Sequence, residues 1–162
     1  MKTQLSRISR ISFLPLLTLT LLLAAGCGPA AKTTSPTASK AALTQAVGKT
    51  WQLDRWTGTD GSRQTTGTIT IAFASEENQT FRASGNASVN RYTGPVTFTA
   101  TGATDFTSPG FAVTRMMGLP EPQAREDRYL AELRLIRAAS LENGRLILTG
   151  DGSLRMEFVP EQ

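Results

Sequence analysis

Apolar residues follow two different patterns in this chain, one near the N-terminus and another from about residue 48 onward. Residues 11–25 are almost continuously apolar, interrupted only by Ser12, Pro15, Thr18 and Thr20. After residue 48, apolar residues instead alternate with polar ones in short runs. Alternation of this kind is typical of half-buried antiparallel strands, so the folded part of the chain is expected to begin there.

Five short runs carry the two-residue period and predict strands, each with a polar, often Thr-rich, second face. Turn-forming residues separate some of them, as at positions 58–61 and 76–79. Trp56 has the opposite parity to its strand's other apolar residues, which predicts a partly exposed ring. The apolar members are Trp51 and Leu53; Ile69, Ile71 and Phe73; Phe81 and Ala83; Val96 and Phe98; and Phe111 and Val113.

The last third of the chain predicts a helix followed by two hairpins. Residues 121–134 place Leu130 and Leu133 on one face, whereas the charged run 125–128 is interpreted as a solvated face. Residues 136–141 then form a strand that leads through Asn143-Gly144, a strong hairpin signal, into another, and Asp151-Gly152 starts the second hairpin. The fold class is therefore α+β: an antiparallel β-sheet or incomplete β-barrel with one packed α-helix.

The first 26 residues have the layout of a secretion signal. Three cationic residues precede the apolar run, which is shorter than the roughly 20 residues that a membrane-spanning helix needs. Residues 23–27, Leu-Ala-Ala-Gly-Cys, resemble the lipobox of bacterial lipoproteins. We therefore expect residues 1–26 to be removed and Cys27 to be acylated. The alternative is ordinary secretion, which would leave Cys27 as a free thiol.

Cys27 is the only cysteine of the 162 residues, so an exported chain would have no internal disulfide. A diacylglycerol attached to its sulfur through a thioether, together with acylation of the new amino terminus, would give two or three acyl chains and a durable membrane anchor. Gly28 occupies the place where aspartate in such lipoproteins signals retention at the inner membrane, so the outer membrane, facing the periplasm, is favoured in a host with two membranes. Residues 27–47, rich in Ala, Thr, Ser and Pro, predict a flexible tether, within which a short helix over 39–47 is an alternative.

Composition excludes several kinds of chemistry. Of 17 Lys and Arg, three lie in the predicted signal, which leaves 14 against 13 Asp and Glu, so the mature chain is nearly neutral and no nucleic-acid partner is expected. The chain has no histidine, which excludes histidine-based triads and the usual zinc sites. The adjacent acids at positions 76–77 and 126–127 point apart on a turn or a helix, so neither pair suits acid–base catalysis. We predict no enzyme activity, no cofactor and no metal.

Several short motifs occur in an order that resembles the META domain of heat-inducible bacterial lipoproteins, and the resemblance covers nearly all of residues 48–160. Trp51 and Leu53 match an opening W-x-L strand, residues 90–94 match the N-x-Y-x-G motif, and residues 114–116 match T-x-M. The family often carries a pair of cysteines where this chain has Val89 and Gly118. The resemblance implies a chain organised as signal (1–26), lipidated tether (27–47) and META-like domain (48–162).

The motif residues are interpreted as structural. Asn90 is expected to occupy a left-handed turn, Tyr92 to bury its ring, and Gly94 to permit a bend or bulge. Thr114 would end a strand, and Met116 and Met117 would fill the core. The two missing cysteines argue against a redox role, because no thiol remains in the domain, and Val89 could fill the vacated space.

The resemblance implies a non-enzymatic envelope lipoprotein with a stress-tolerance or binding role. Its partners would be the membrane, through acyl chains on Cys27, and an envelope protein or an apolar ligand in the open end of the barrel. The alternative is a pilot-like assembly factor that binds an apolar segment of an outer-membrane client.

Overall fold

The structure is a computed structural model that describes residues 36–77, 80–107 and 109–162. The predicted signal at residues 1–26 and the predicted acylation site Cys27 lie outside these residues. Within them the chain forms two helices and nine strands in one sheet. These are α1 (Pro36–Ala46), β1 (Thr50–Thr57), β2 (Thr70–Ser75), β3 (Phe81–Asn86), β4 (Arg91–Phe98), β5 (Thr104–Asp105), β6 (Ala112–Val113), α2 (Pro120–Leu133), β7 (Ile136–Glu142), β8 (Arg145–Gly150) and β9 (Arg155–Pro160).

The sheet is antiparallel throughout and curls into a nearly closed barrel. Its strand order is β5-β4-β3-β2-β1-β9-β8-β7, with β6 paired to β4, and the two end strands β5 and β7 contact each other. The apolar residues of the alternating runs point inward and are buried, among them Ile71, Tyr92, Val96 and Phe158. The predicted α+β class with an antiparallel, barrel-like sheet is confirmed.

The C-terminal elements agree closely with the pattern of the sequence. Helix α2 begins at Pro120, where a proline lacks only an N–H that would be unpaired in any case. The turn between β7 and β8 places Asn143 at φ 51° and Gly144 at φ 75°. Those backbone angles suit the tight hairpin that Asn-Gly predicts.

Helix α1 corrects the predicted tether, because Pro36–Ala46 is part of the folded domain. Ala42, Leu43 and Ala46 lie on one face and are buried in the core. The hydroxyl of Ser39 accepts a hydrogen bond of 3.1 Å from the backbone N–H of Ala139 in β7. One leucine and two alanines bury little surface alone, but the barrel supplies the apolar surface on which such a helix packs.

The prediction of a partly exposed Trp56 is wrong. The pairing of β1 with β9 shifts register between Leu53 and Arg55, which is a β-bulge. One extra residue reverses the parity of every side chain that follows, so Trp56 points inward and is only 1% exposed.

Two tryptophans connect the helices to opposite ends of β1. The indole N–H of Trp51, near the start of the strand, donates a 3.1 Å hydrogen bond to the carbonyl of Ala46 in α1. The indole N–H of Trp56, near its end, donates a 2.7 Å hydrogen bond to the Glu132 carboxylate in α2. Helix α1 also contacts β2 and β7, which lie on opposite sides of the barrel. The two helices therefore cover opposite ends of the barrel, and side chains fill its interior.

Candidate functional site

Asn90 joins the N-x-Y-x-G and T-x-M motifs into one structural unit. Its Oδ1 accepts hydrogen bonds from the Met116 N–H (2.7 Å) and the Thr114 hydroxyl (2.8 Å). Its Nδ2 donates to the Met116 carbonyl (3.1 Å) and to the Glu126 carboxylate (2.8 Å). All four hydrogen-bonding positions of a buried amide are therefore used. The predicted left-handed turn is wrong for Asn90, since Ser88 holds the positive φ, 117°.

Glu126 is the centre of this unit and corrects the interpretation of residues 125–128 as a solvated face. Its side chain is on the inner face of α2 and is 2% exposed. The Oε2 atom accepts from the backbone N–H groups of Val89 (3.1 Å) and Asn90 (2.6 Å). Gln123 donates to Oε1 at 3.3 Å. A carboxylate used in this way fixes the loop between β3 and β4, and it is not exposed for acid–base chemistry.

The second buried acid of α2 has a similar role. Besides the Trp56 indole, Glu132 accepts from the backbone N–H of Thr59 (3.4 Å) and from Arg128 Nε (3.2 Å). It therefore ties the helix to the turn after β1. The spacing of Glu126, Tyr129 and Leu133 along one helical face is the sequence signal that points to a buried acid at position 126.

The two tyrosine hydroxyls meet inside the barrel. Tyr92 and Tyr129 are buried, and their hydroxyl oxygens are 2.8 Å apart. Tyr92 donates its one hydrogen to the Thr70 carbonyl at 3.1 Å, so Tyr129 is the donor in the bond between the rings. Burial raises the pKa of both hydroxyls above the usual value for tyrosine.

Gly94 is needed for close packing and not for a bend. It lies inside β4, directly opposite Ala83 in β3. A Cβ at this position would stand 2.6 Å from the Phe111 ring and 2.8 Å from the Gly110 carbonyl oxygen. The segment that leads into β6 can therefore cross β4 only because a glycine is present.

Val89 and Gly118 stand side by side, as the family's pair of cysteines implies. A Cβ built on Gly118 would lie 3.3 Å from the Val89 Cβ and 2.5 Å from its Cγ2. Cβ atoms joined through a disulfide are about 3.8 Å apart. The valine side chain thus occupies the space of the absent bridge.

The prediction that Met116 and Met117 fill the core is wrong. Met116 is 56% exposed, Met117 99% and nearby Leu119 75%. The reason is the bonding of Asn90, which binds both the N–H and the carbonyl of Met116. The backbone faces inward at this point, so the side chains face outward. Thr114, directly after β6, is held by the same asparagine.

A groove of about 870 Å³ lies on the outer face of the sheet. Its floor is a row of small residues that pair directly from strand to strand, and Arg91 and Glu161 also line the groove. Hydroxyl and methyl groups share this floor, which is therefore less apolar than the barrel interior. The row consists of Thr50, Ala72, Ser84, Thr93 and Ala112.

No group of three or more His, Cys, Asp or Glu in residues 36–77, 80–107 and 109–162 is placed to hold a metal ion. No helix within the same ranges is long and apolar enough to cross a bilayer. Trp51 and Leu53, the W-x-L residues, lie in the core.

These features define a small antiparallel barrel whose motif residues form its internal bonding, and comparison with known proteins identifies its family. A model of the META domain matches residues 41–162, so the chain belongs to the META domain family. The match begins inside α1. An NMR structure of a protein from Burkholderia xenovorans has a similar fold, with a TM-score of 0.59 and 23% identity over 76% of this chain and 88% of that one. No curated protein matches the sequence.

Proposed function

We propose that this protein is a cell-envelope lipoprotein whose META domain has a non-enzymatic binding role in stress tolerance, held at a membrane by acyl chains on Cys27. The observation that carries the proposal is the placement of the chain's only cysteine directly after an apolar run that ends in small residues. In a host with two membranes, the domain faces the periplasm from the outer membrane.

The chemistry of the domain supports binding over catalysis. Its two buried carboxylates, on Glu126 and Glu132, are occupied by backbone and side-chain donors. The two buried hydroxyls of Tyr92 and Tyr129 bond each other. These groups are buried and already hydrogen-bonded in the folded state, so none of them is presented to a substrate.

The structure favours a different binding position from the open end of the barrel that the sequence suggests. Side chains fill the interior of the barrel and the two helices cover its ends, so an apolar ligand in its open end has no room there. The outer groove is accessible instead, and its floor of small residues with hydroxyl and methyl groups suits an extended segment of a partner.

Mass spectrometry of the protein from its native membranes tests the anchor. We expect an N-terminal peptide that begins at Cys27 and carries acyl groups, and we expect the Cys27→Ser variant to lose both the modification and the membrane association. An N-terminus elsewhere, or an unmodified Cys27 in protein that washes into buffer, would contradict the proposal.

Deletion and crosslinking test the role. Loss of a stress factor is expected to cause broad sensitivity to envelope stress, whereas loss of a pilot would mislocalise one specific client. The binding role is wrong if crosslinking at Thr93, in the groove floor, captures no more envelope protein than crosslinking at exposed Thr101.

A further inference from the structure

Three large apolar side chains are exposed on one short loop. They are Met116, Met117 and Leu119 in the segment 115–119, which we call the apolar loop. They are also the large apolar side chains found exposed among the described residues. Single exposed apolar residues are ordinary, but several that are adjacent indicate an interaction surface.

Hydrogen bonds and close packing hold the backbone of the apolar loop in a conformation that exposes these side chains. Asn90 binds both backbone polar groups of Met116, and Glu126 binds Asn90 in turn. Gly118 packs closely against Val89 at the other side of the loop. A loop fastened at two points cannot turn its side chains inward, so the apolar groups stay in water until another surface covers them.

Two cationic side chains without an ion-pair partner among the described residues belong to the apolar loop or adjoin it. Residues 113–120 include Arg115 and no acid. Arg91 lies beside the loop, because its backbone carbonyl and N–H bond the backbone and hydroxyl of Thr114. Within the described part of the chain, no ion pair involves either arginine. The nearest acid along the chain, Glu121, is paired with Arg125 at 2.9 Å.

From this combination we propose that the apolar loop inserts into the interface of an anionic bilayer, with its methionine and leucine side chains among the acyl chains and Arg91 and Arg115 against headgroup phosphates. The apolar side chains suit the acyl region of such a bilayer, and the cationic side chains beside them suit its anionic headgroups. The inference rests on the proposed function, because acylation at Cys27 keeps the domain close to the bilayer and makes a weak contact sufficient. The contact would orient the domain, with the Arg91 side of its groove near the membrane.

Site-specific labelling of the lipidated full-length chain tests the loop directly. Acylation consumes the Cys27 thiol, so a Met117→Cys substitution introduces the one reactive thiol for an environment-sensitive fluorophore. The protein is placed in phosphatidylcholine vesicles with roughly a quarter phosphatidylglycerol, and brominated acyl chains serve as quenchers. The matched control is Thr101→Cys, which is exposed in the turn after β4, at the strand end far from the loop.

We expect acyl-chain bromines to quench the label at 117 about threefold more than the label at 101, because inserted loops reach the acyl boundary. Arg115→Gln in the Met117→Cys background is expected to weaken the anionic-lipid dependence about fivefold, since one arginine near the surface is removed. Equal quenching at both positions would overturn the inference. Protection of position 117 that requires added envelope protein would also overturn it and would assign the loop to a protein partner.

The proposed anchor is read separately, from the mass of the N-terminal peptide of the same sample. If that mass shows an unmodified Cys27, the anchor has failed, and the label at 117 is read again in the Cys27→Ser background at high lipid concentration. Quenching of the label at 117 in that background would support membrane insertion of the loop without the anchor. No quenching would contradict both the loop inference and the proposed anchor.

Discussion

Alkaline pH is expected to unfold this domain through its buried tyrosine pair. Tyr92 and Tyr129 are the chain's only tyrosines, and both lie in the core. Burial raises the pKa of both hydroxyls in the folded state, whereas an unfolded tyrosine ionises near pH 10. Below that pH both states hold their protons and stability is complete. Above it, only the unfolded state releases them, so stability falls as pH rises.

The magnitude follows from the number of protons. Each tyrosine that ionises only on unfolding lowers the free energy of unfolding by about 1.4 kcal/mol per pH unit, so the pair gives about 2.7 kcal/mol per unit above pH 10. A small domain has about 5–15 kcal/mol in total. Roughly two to six pH units above 10 would therefore be needed to exhaust it, and added urea brings the transition into an accessible range.

The assay is the near-ultraviolet absorbance of tyrosinate, which reports this pair without background from other tyrosines. We expect no titration step in the folded protein near pH 10, and one cooperative rise in absorbance together with the change in tryptophan fluorescence. In urea-unfolded protein the same groups should titrate near 10. Tyr129→Phe should halve the pH dependence of unfolding. A reversible ionisation near pH 10 in protein whose circular dichroism is unchanged would refute the reasoning.

Three further changes test the fold and its motif unit. Cysteines at both Val89 and Gly118 should form a disulfide that closes a loop of about 30 residues and raises the free energy of unfolding by about 3–4 kcal/mol. Urea unfolding with and without reductant measures this difference, and equal stability in both conditions would mean that the two positions are not placed as the structure has them. Glu126→Ala should remove about 2–4 kcal/mol, because it leaves two backbone N–H groups and an amide without their acceptor, and a loss below 1 kcal/mol would contradict its structural role. Leu43→Ala should lower the free energy of unfolding by about 2–5 kcal/mol, whereas Thr44→Ala, on the exposed side of α1, should change it by less than about 0.5 kcal/mol. Similarly small effects for both substitutions would mean that this segment is a tether and not part of the folded domain.

The motif residues show which features of the candidate site can be predicted from the sequence and which cannot. The sequence predicts a buried Tyr92 whose hydroxyl is hydrogen-bonded, and the structure confirms both. The sequence predicts Met116 in the core, because methionine is usually a core residue, but Asn90 turns it outward through hydrogen bonds between residues 26 positions apart. No local pattern encodes such a pairing. The exposed loop therefore appears only when β4 and the segment before α2 are brought together.

The sequence alone determines the strands, the C-terminal helix and the hairpins, because their two-residue and helical periods and their turn chemistry act over a few neighbouring residues. It also carries the lipobox resemblance at Cys27, which is a local signal of the same kind. Tertiary structure decides the rest: a bulge in the β1–β9 pairing buries Trp56, the surface of the barrel orders α1, and buried donors take up Glu126. Each of these depends on surfaces and hydrogen-bonding partners that are distant along the chain, so they exist only once the barrel has closed.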